Sequence, residues 1–352
     1  MQILAYRVAA QGLAARDRTL KQVAASFGLQ DSPPGAALTA VNARSEDAAA
    51  LGAALESRDL VALPNPRTAV AVLPAEDVAT YITALQPPDE RALETVLLRA
   101  APGDFEAARE HAVTAVGAAL DGRVLSRDAL HEELRGRLPD ELLPWCEGCQ
   151  SHHARRGLLT VAALAGRLCY AGEEGRQRTF ARTDQWTALE PGDPREAQAE
   201  LVRRYLRHLG PSNHKDLAAW AGIAPSHAKA LIATVADELV EVDGGLLHAD
   251  DVAELERPPA ARGVRLLGPG DPLLGARDKE RLIPDKDLRK RIWRPIGSPG
   301  VVLADGRPAG LWRARKQGRR LTVETEWFGD AVDVREEAER IASLRGAELY
   351  DA

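Results

Sequence analysis

The sequence is poor in the residues that build disulfide frameworks, membrane spans and aromatic platforms. Its 352 residues include only three cysteines, Cys146, Cys149 and Cys169, an odd and small set that excludes a disulfide scaffold and fits a reducing compartment. No stretch approaches the roughly 18 uninterrupted apolar residues of a membrane span. Charges break the N-terminal MQILAYRVAAQGLAARDRTLKQ too early for a secretory signal, so a cytoplasmic protein with no membrane partner is expected. Aromatic residues make up 4 % of the chain, too few to locate a base-stacking pocket by themselves. Asp, Glu and His are nowhere clustered at metal-ligand spacing, which leaves a metal-dependent nuclease as the weakest function class.

The composition that remains, 45 % hydrophobic and 28 % charged, is that of a globular protein, and the length calls for more than one compact unit. A formal net charge of −6 argues against nucleic acid until its distribution is considered. Residues 276–320 carry 14 Lys and Arg against 5 Asp and Glu, so one region is strongly basic and the remainder correspondingly acidic. Segregation of this kind is the footprint of a polyanion-binding face.

Hydrophobic spacing repeats along the chain. In residues 197–248, Leu201, Tyr205 and Leu209 share one helical face that stops at Gly210-Pro211; Ser212 is placed to cap a second helix and Ser226 a third, and LVEVDGGLLHA reads as a hairpin about Asp243, Gly244 and Gly245. Three helices and a hairpin are the parts of a winged helix, whose third helix enters the major groove. A second copy is predicted upstream, with Ser126 capping SRDALHEELRGRL, HHARRGLLTVAALAGRL as the third helix, and a hairpin about Gly172–Gly175. A weaker third copy occupies the N-terminus, with helices near 4–15 and 18–28 and a strand pair turning at Pro64, Asn65 and Pro66. Beyond Pro258-Pro259, short apolar segments broken by Gly, Pro and Asp-Gly predict a small barrel or sandwich, followed by a final helix, REEAERIASLRG. The expected class is α+β: tandem winged-helix (helix-turn-helix) domains over 1–95, 96–192 and 193–256, then a small basic C-terminal β-barrel and helix over 257–352.

Four segments, GLQDSPPGAALTAVNAR, WCEGCQSHHARRG, GPSNHKDLAAWAG and LRKRIWRPIGSPGVVLADGRPAGLWRARKQGRRLTV, resemble the bacterial winged-helix DNA glycosylases of the AlkZ and YcaQ type, and the likeness covers nearly the whole chain. The resemblance implies a monofunctional glycosylase that excises alkylated or crosslinked bases, in base excision repair or in antibiotic self-resistance, with damaged double-stranded DNA as partner, a monomeric state and no cofactor. The family's catalytic signature is Gln, an apolar residue, then Gln or Asp, groups that hold a water beneath the sugar as positive charge develops at the anomeric carbon. Here the matching residues are Gln30, Asp31 and Ser32: the first is kept, the second is acidic and the third is a hydroxyl. In PRTAVAVLP, Arg67 is retained, while Ala71 stands where relatives carry His. The alternative reading is a non-catalytic DNA-binding protein, a lesion binder or a transcription regulator.

The cationic side chains assigned to DNA are Arg289, Lys290, Arg291, Arg313, Arg315, Lys316 and Arg319 in the basic region, with Arg44, Arg67, Arg178 and Lys229 elsewhere. The run Cys146, Cys149, His152 and His153 offers zinc-type ligands at a spacing too compressed for a structural site, with no second pair following. It is therefore expected to be a packed helix–turn junction that puts His153, Arg155 and Arg156 near DNA, with no metal.

Overall fold

The computed structural model describes every residue except 1, 27, 68, 98–102, 176, 191 and 351–352. Helix α1 (Gln2–Ala10) precedes α2 (Leu20–Ala25), which opens with a reciprocal capping box between Thr19 and Gln22. Strand β1 (Leu29–Gln30) leads into α3 (Ala36–Asn42), and α4 (Leu51–Glu56) into the hairpin of β2 (Leu60–Pro64) and β3 (Val70–Pro74). Asn65 closes that hairpin, its Oδ1 accepting from the backbone N–H of Arg67 and of Ala69, so an Asx turn rather than the flanking prolines sets the loop. Helices α5 (Val78–Ala84) and α6 (Glu90–Leu97) follow, then α7 (Phe105–Ala119), capped by Asp104. Strand β4 (Leu125–Ser126) ends in the Ser126 cap of α8 (Arg127–Arg135), as the sequence predicts.

The short hairpin of β5 (Trp145–Cys146) and β6 (Ser151–His152) precedes α9 (Arg156–Leu164). The expected helix starting at His152 thus begins four residues later, because its first residues pair as strand. The second hairpin, β7 (Cys169–Glu174) and β8 (Gln177–Ala181), is followed by α10 (Thr183–Trp186). Helices α11 (Pro194–Leu209), α12 (His214–Ala221) and α13 (Pro225–Ala233) come next. Two expected caps are corrected here. Ser212 pairs with the Tyr205 hydroxyl at 2.7 Å, and it is Asn213 that accepts from the N–H groups of Lys215 and Asp216. Ser226 lies inside α13, which starts at Pro225 after Ala224, because proline is best placed in the first helical turn.

Strands β9 (Leu239–Val242) and β10 (Gly245–His248) turn through Asp243 and Gly244, both at positive φ, as a two-residue hairpin requires. The chain ends through α14 (Val252–Glu256), β11 (Val264–Leu267), α15 (Lys279–Leu282), α16 (Lys286–Ile292), β12 (Gly300–Ala304), β13 (Arg307–Gln317), β14 (Arg320–Trp327), α17 (Arg335–Leu344) and β15 (Glu348–Leu349). The cations of 286–291 therefore sit on a helix rather than on loops and strands.

Two compact units emerge: residues 1–52, 204–216 and 238–352, and residues 53–203 and 217–237. In the second, antiparallel strands run in the order β3-β2-β7-β8-β4, and α6, α7 and α9 pack together on Leu93, Val96, Val116, Leu158 and Val161, all buried. Gly157 is obligatory at this crossing, since a Cβ there would lie 2.3 Å from the Leu97 carbonyl oxygen.

In the first unit, strands β11-β12-β13-β14-β15 form one sheet, antiparallel except for the last pair. Its outer strands do not pair with each other among the described residues, so the expected small barrel stays unclosed. Alternation along the strands divides the core. Leu267, Val301, Leu303 and Leu311 face Val8, Leu13 and Ala43, whereas Leu266, Val302, Trp312 and Leu321 face Ile341 and Ala342 of α17.

Three buried or half-buried guanidinium–carboxylate pairs tie the N-terminal segment to the loops and helix that flank the C-terminal sheet: Arg7 with Asp278 at 2.7 Å, Arg16 with Glu337 on α17, and Arg44 with Asp271. The last is bidentate, at 2.7 and 2.8 Å, with side chains 3 % and 0 % exposed. Breaking such a pair strands a buried charge at a cost of about 3–5 kcal/mol, and Asp271→Asn is expected to lower the denaturant midpoint accordingly. Arg319→Ala, which gives up only an exposed partner in Glu348, should leave the midpoint where it is.

His208 adds a pH dependence. Burial first, then neighbouring cations, push its imidazole down to about 4, so the fold holds it neutral while the unfolded chain protonates it near 6.5. Its contribution is complete above 6.5 and disappears as pH falls toward 4. Thermal melts across that window should show acid destabilisation of about 3 kcal/mol at most from this group, reduced in His208→Gln.

Candidate functional site

The motif Gln30, Asp31, Ser32 lies where β1 ends and α3 is about to begin, within the first unit. Asp31 turns toward the helix: its Oδ1 accepts from the N–H of Gly35 at 2.8 Å and of Ala37 at 3.2 Å, satisfying donors that a helix start otherwise leaves unpaired. Gln30 is oriented by its own neighbour, Nε2 donating to the Ser32 carbonyl at 2.7 Å. This leaves the carbonyl end, Oε1, as the acceptor of the amide. Gly270 packs against the same turn, where a Cβ would sit 3.0 Å from Ala36 Cβ and 3.2 Å from the Ser32 oxygen. A cleft of about 200 Å³ adjoins, lined by Pro33, Gly35, Thr39, Gly268, Pro299 and Arg313 among others.

Arg44, assigned to DNA from the sequence, is 2 % exposed. Its guanidinium is consumed by Asp271, by the Ala40 and Gln11 carbonyls and by the Gln11 side chain, so the assignment is corrected to a structural one. Ala71 is likewise buried, in β3 opposite Leu63, and offers no polar group in the family's His position. Arg67 is half-buried beside Gly222.

The cations of the basic region are better exposed. Lys290, Arg291, Arg313, Arg315, Lys316 and Arg319 are all on the surface, and Arg313 and Arg315 alternate onto one face of β13, as residues two apart must. An open cleft of about 500 Å³ collects Lys290, Arg291, Arg294 and Arg313. Acidic groups temper it: Arg291 pairs with Glu326, and Glu324 lies opposite Arg313 in the register. Arg289 is half-buried, its Nη1 on the Ile283 and Pro284 carbonyls. Three of the six tryptophans, those of this region, serve the fold. Trp312 Nε1 donates to the Leu267 carbonyl, Trp293 Nε1 to the Leu274 carbonyl, and Trp327 packs on the sheet core.

In the second unit, α9 is buried on nearly all sides, and only its start, Arg155 and Arg156, projects. Arg178 lies over the Tyr170 ring at 5.0 Å, and Lys229 is exposed on α13. The neighbouring His227 is 3 % exposed and so faces the interior.

The β5–β6 hairpin departs most from expectation. A ring nitrogen of His153 and the sulfurs of Cys146 and Cys149 lie within 4.8 Å of one another. The His153 side chain, then the backbone N–H groups of Cys149 and Gly148, hold the Cys146 thiol down at about 7, below its usual value. Against His153, at 4.7 Å between ring centroids, stacks His131 of α8, kept neutral by burial to about 4. Ligand spacing points only downstream of Cys149 for further partners, whereas His131 lies fifteen residues upstream of Cys146 and carries no local signal.

Among the described residues no helix is long and apolar enough to cross a membrane. No curated protein matches the sequence. Among solved structures, the Streptomyces sahachiroi DNA glycosylase AlkZ is similar, with a TM-score of 0.74 and 20 % identity over 99 % of this chain and 98 % of that one; at that identity the likeness establishes a common α+β fold. The family described as DNA glycosylase AlkZ-like matches residues 23–344, a span that takes in the motif at 30–32 and the basic sheet, and the chain belongs to that family.

Proposed function

We propose that this protein is a DNA glycosylase acting on alkylated or crosslinked bases in double-stranded DNA. The observation that carries the proposal is that the family match spans Gln30, whose Nε2 is held by the Ser32 carbonyl, leaving Oε1 as the acceptor of the amide. In the reaction so read, the bond from the anomeric carbon to the base nitrogen breaks, the base leaves with the electron pair, and water adds to the sugar carbon while losing a proton. Gln30 Oε1 accepts a hydrogen bond from that water and opposes the developing positive charge. Arg313, Arg315, Lys290 and Arg291 hold the duplex backbone, and Arg155, Arg156, Arg178 and Lys229 add phosphate contacts from the second unit.

The architecture is read as tandem winged helices over 1–95, 96–192 and 193–256 and a basic sheet domain over 257–352. Two features support it. The order helix, short strand, helix, helix, hairpin occurs from α7 to β8, with the small β5–β6 hairpin inserted between α8 and α9 and with β4 paired to β8. It recurs from α11 to β10, with Ser212 bridging to Leu246 in the place of the short strand.

A second reading, DNA binding without base excision, is favoured by one observation: Asp31 is spent on capping α3 and Ala71 is buried, so two groups of the family's chemistry are missing. Incubating alkylated duplex with the enzyme in excess separates the two. Release of the modified base, reduced about a hundredfold or more in Gln30→Ala, supports excision; binding with no product establishes the second reading. Asp31→Asn keeps a capping oxygen and is expected to retain activity, and Ser32→Asp, which restores the family's carboxylate, to raise it.

Phosphate contacts carry salt dependence rather than sequence preference. Arg313→Glu with Arg315→Glu is expected to weaken duplex binding for every sequence. It should also flatten the salt slope by about one for each phosphate no longer neutralised, as read by anisotropy titrations at several ionic strengths.

A further inference from the structure

The densest gathering of metal-type ligands among the described residues lies away from the motif, on the β5–β6 hairpin between α8 and α9. We propose that Cys146, Cys149, His153 and His131 bind one structural Zn²⁺ that fixes the start of α9.

The geometry is close to a ligand shell. With Zn–S near 2.3 Å and Zn–N near 2.0 Å, tetrahedral ligand atoms stand about 3.5 Å apart, and here three of them already lie within 4.8 Å of one another. The backbone is folded as a sulfur-binding knuckle. The Cys149 N–H donates to the Cys146 carbonyl at 3.2 Å and Gln150 turns the chain at φ 51°, which brings the two sulfurs to one side of the turn.

The imidazoles supply the second pair. His153 Nδ1 is fixed on the Ala154 carbonyl at 2.9 Å, the backbone contact that sets the tautomer of a ligating histidine. Its Nε2 is buried with no nitrogen or oxygen partner and lies on the side of the Cys146 thiol, and His131 Nδ1, in the ring stacked on His153, is buried with none. A buried imidazole nitrogen without such a partner is costly for a metal-free fold and is an open valence for a metal. His152 is excluded, since it is exposed and its ring packs on Trp145, whereas His153 and His131 are half-buried against each other. On binding, both thiols release their protons to solvent, and the two thiolates neutralise the divalent charge.

The test uses the full chain, purified without an affinity tag, reduced, dialysed against zinc and then against metal-free buffer. Elemental analysis is expected to return one zinc per chain, falling to the blank in Cys146→Ser and Cys149→Ser and unchanged in Cys169→Ser. Cobalt in place of zinc should give the intense visible bands of a tetrahedral thiolate site, and His131→Ala should weaken metal affinity tenfold or more. If the cysteine variants fail to fold, the cobalt spectrum of the wild-type chain decides alone. Blank zinc in the reduced wild-type chain, a cobalt spectrum without those bands, or a metal-free Cys146–Cys149 disulfide recovered from reducing preparation would overturn the site. None of these readouts depends on base excision.

Discussion

Arg44 and Asp271 are 227 residues apart in the chain and meet in a fully desolvated bidentate pair. Much of the first unit is positioned by that contact. Arg44 follows α3 directly and also grips the Gln11 and Ala40 carbonyls, while Asp271 ends the Gly268–Asp271 loop and caps the turn that follows it. The loop in turn lays Gly270 against Ser32 and Gln30. Thus the geometry of a motif at position 30 rests on residues near position 270. Since a buried ion pair gains little over an apolar substitute but costs much when half-removed, its value here lies in specifying one docking of α3 against the sheet.

The same logic sorts the cations. A guanidinium completely surrounded by carbonyls and a carboxylate, as in Arg7 and Arg44, cannot reach a phosphate, whatever its place in a family motif. Those on the exposed face of β13 and on α16 can, although Glu324 and Glu326 reduce their field locally. Net charge therefore misleads twice over, first by hiding a basic region within an acidic chain and then by counting buried arginines such as Arg7 and Arg44, which lie outside that region, with the charges at the surface.

What was legible in the sequence was local. The Ser126 cap, the Asp243-Gly244 turn, the four principal strands of the C-terminal sheet and the terminal helix all depend on residues a few positions apart. What was hidden depends on contacts distant in sequence. Ser212 resembles a cap until Tyr205 claims its hydroxyl, Arg44 resembles a DNA contact until Asp271 is found beside it, and the Cys-Cys-His cluster seems too short of ligands until α8 brings His131 against His153. Helix starts proved less secure than helix bodies, because Pro225 and the pairing of Ser151–His152 shift them by a few residues.

In an extended segment Asp31 points away from the face shared by Gln30 and Ser32, so it could stand in for the carboxylate missing at Ser32 only if the segment were a loop. In the fold, Asp31 Oδ1 instead accepts two backbone N–H groups at the start of α3, where the helix dipole and the unpaired donors both stabilise negative charge. One oxygen of this carboxylate is thereby committed to the start of the helix. Asp31 marks where α3 begins, next to the turn that orients Gln30. In the proposed glycosylase reading, water activation at the motif is assigned to an amide, which can orient and polarise but cannot take a proton. Such a site suits a reaction in which the bond to the leaving base is largely broken before water adds, so that the nucleophile needs little activation and stabilising the sugar cation is the main task.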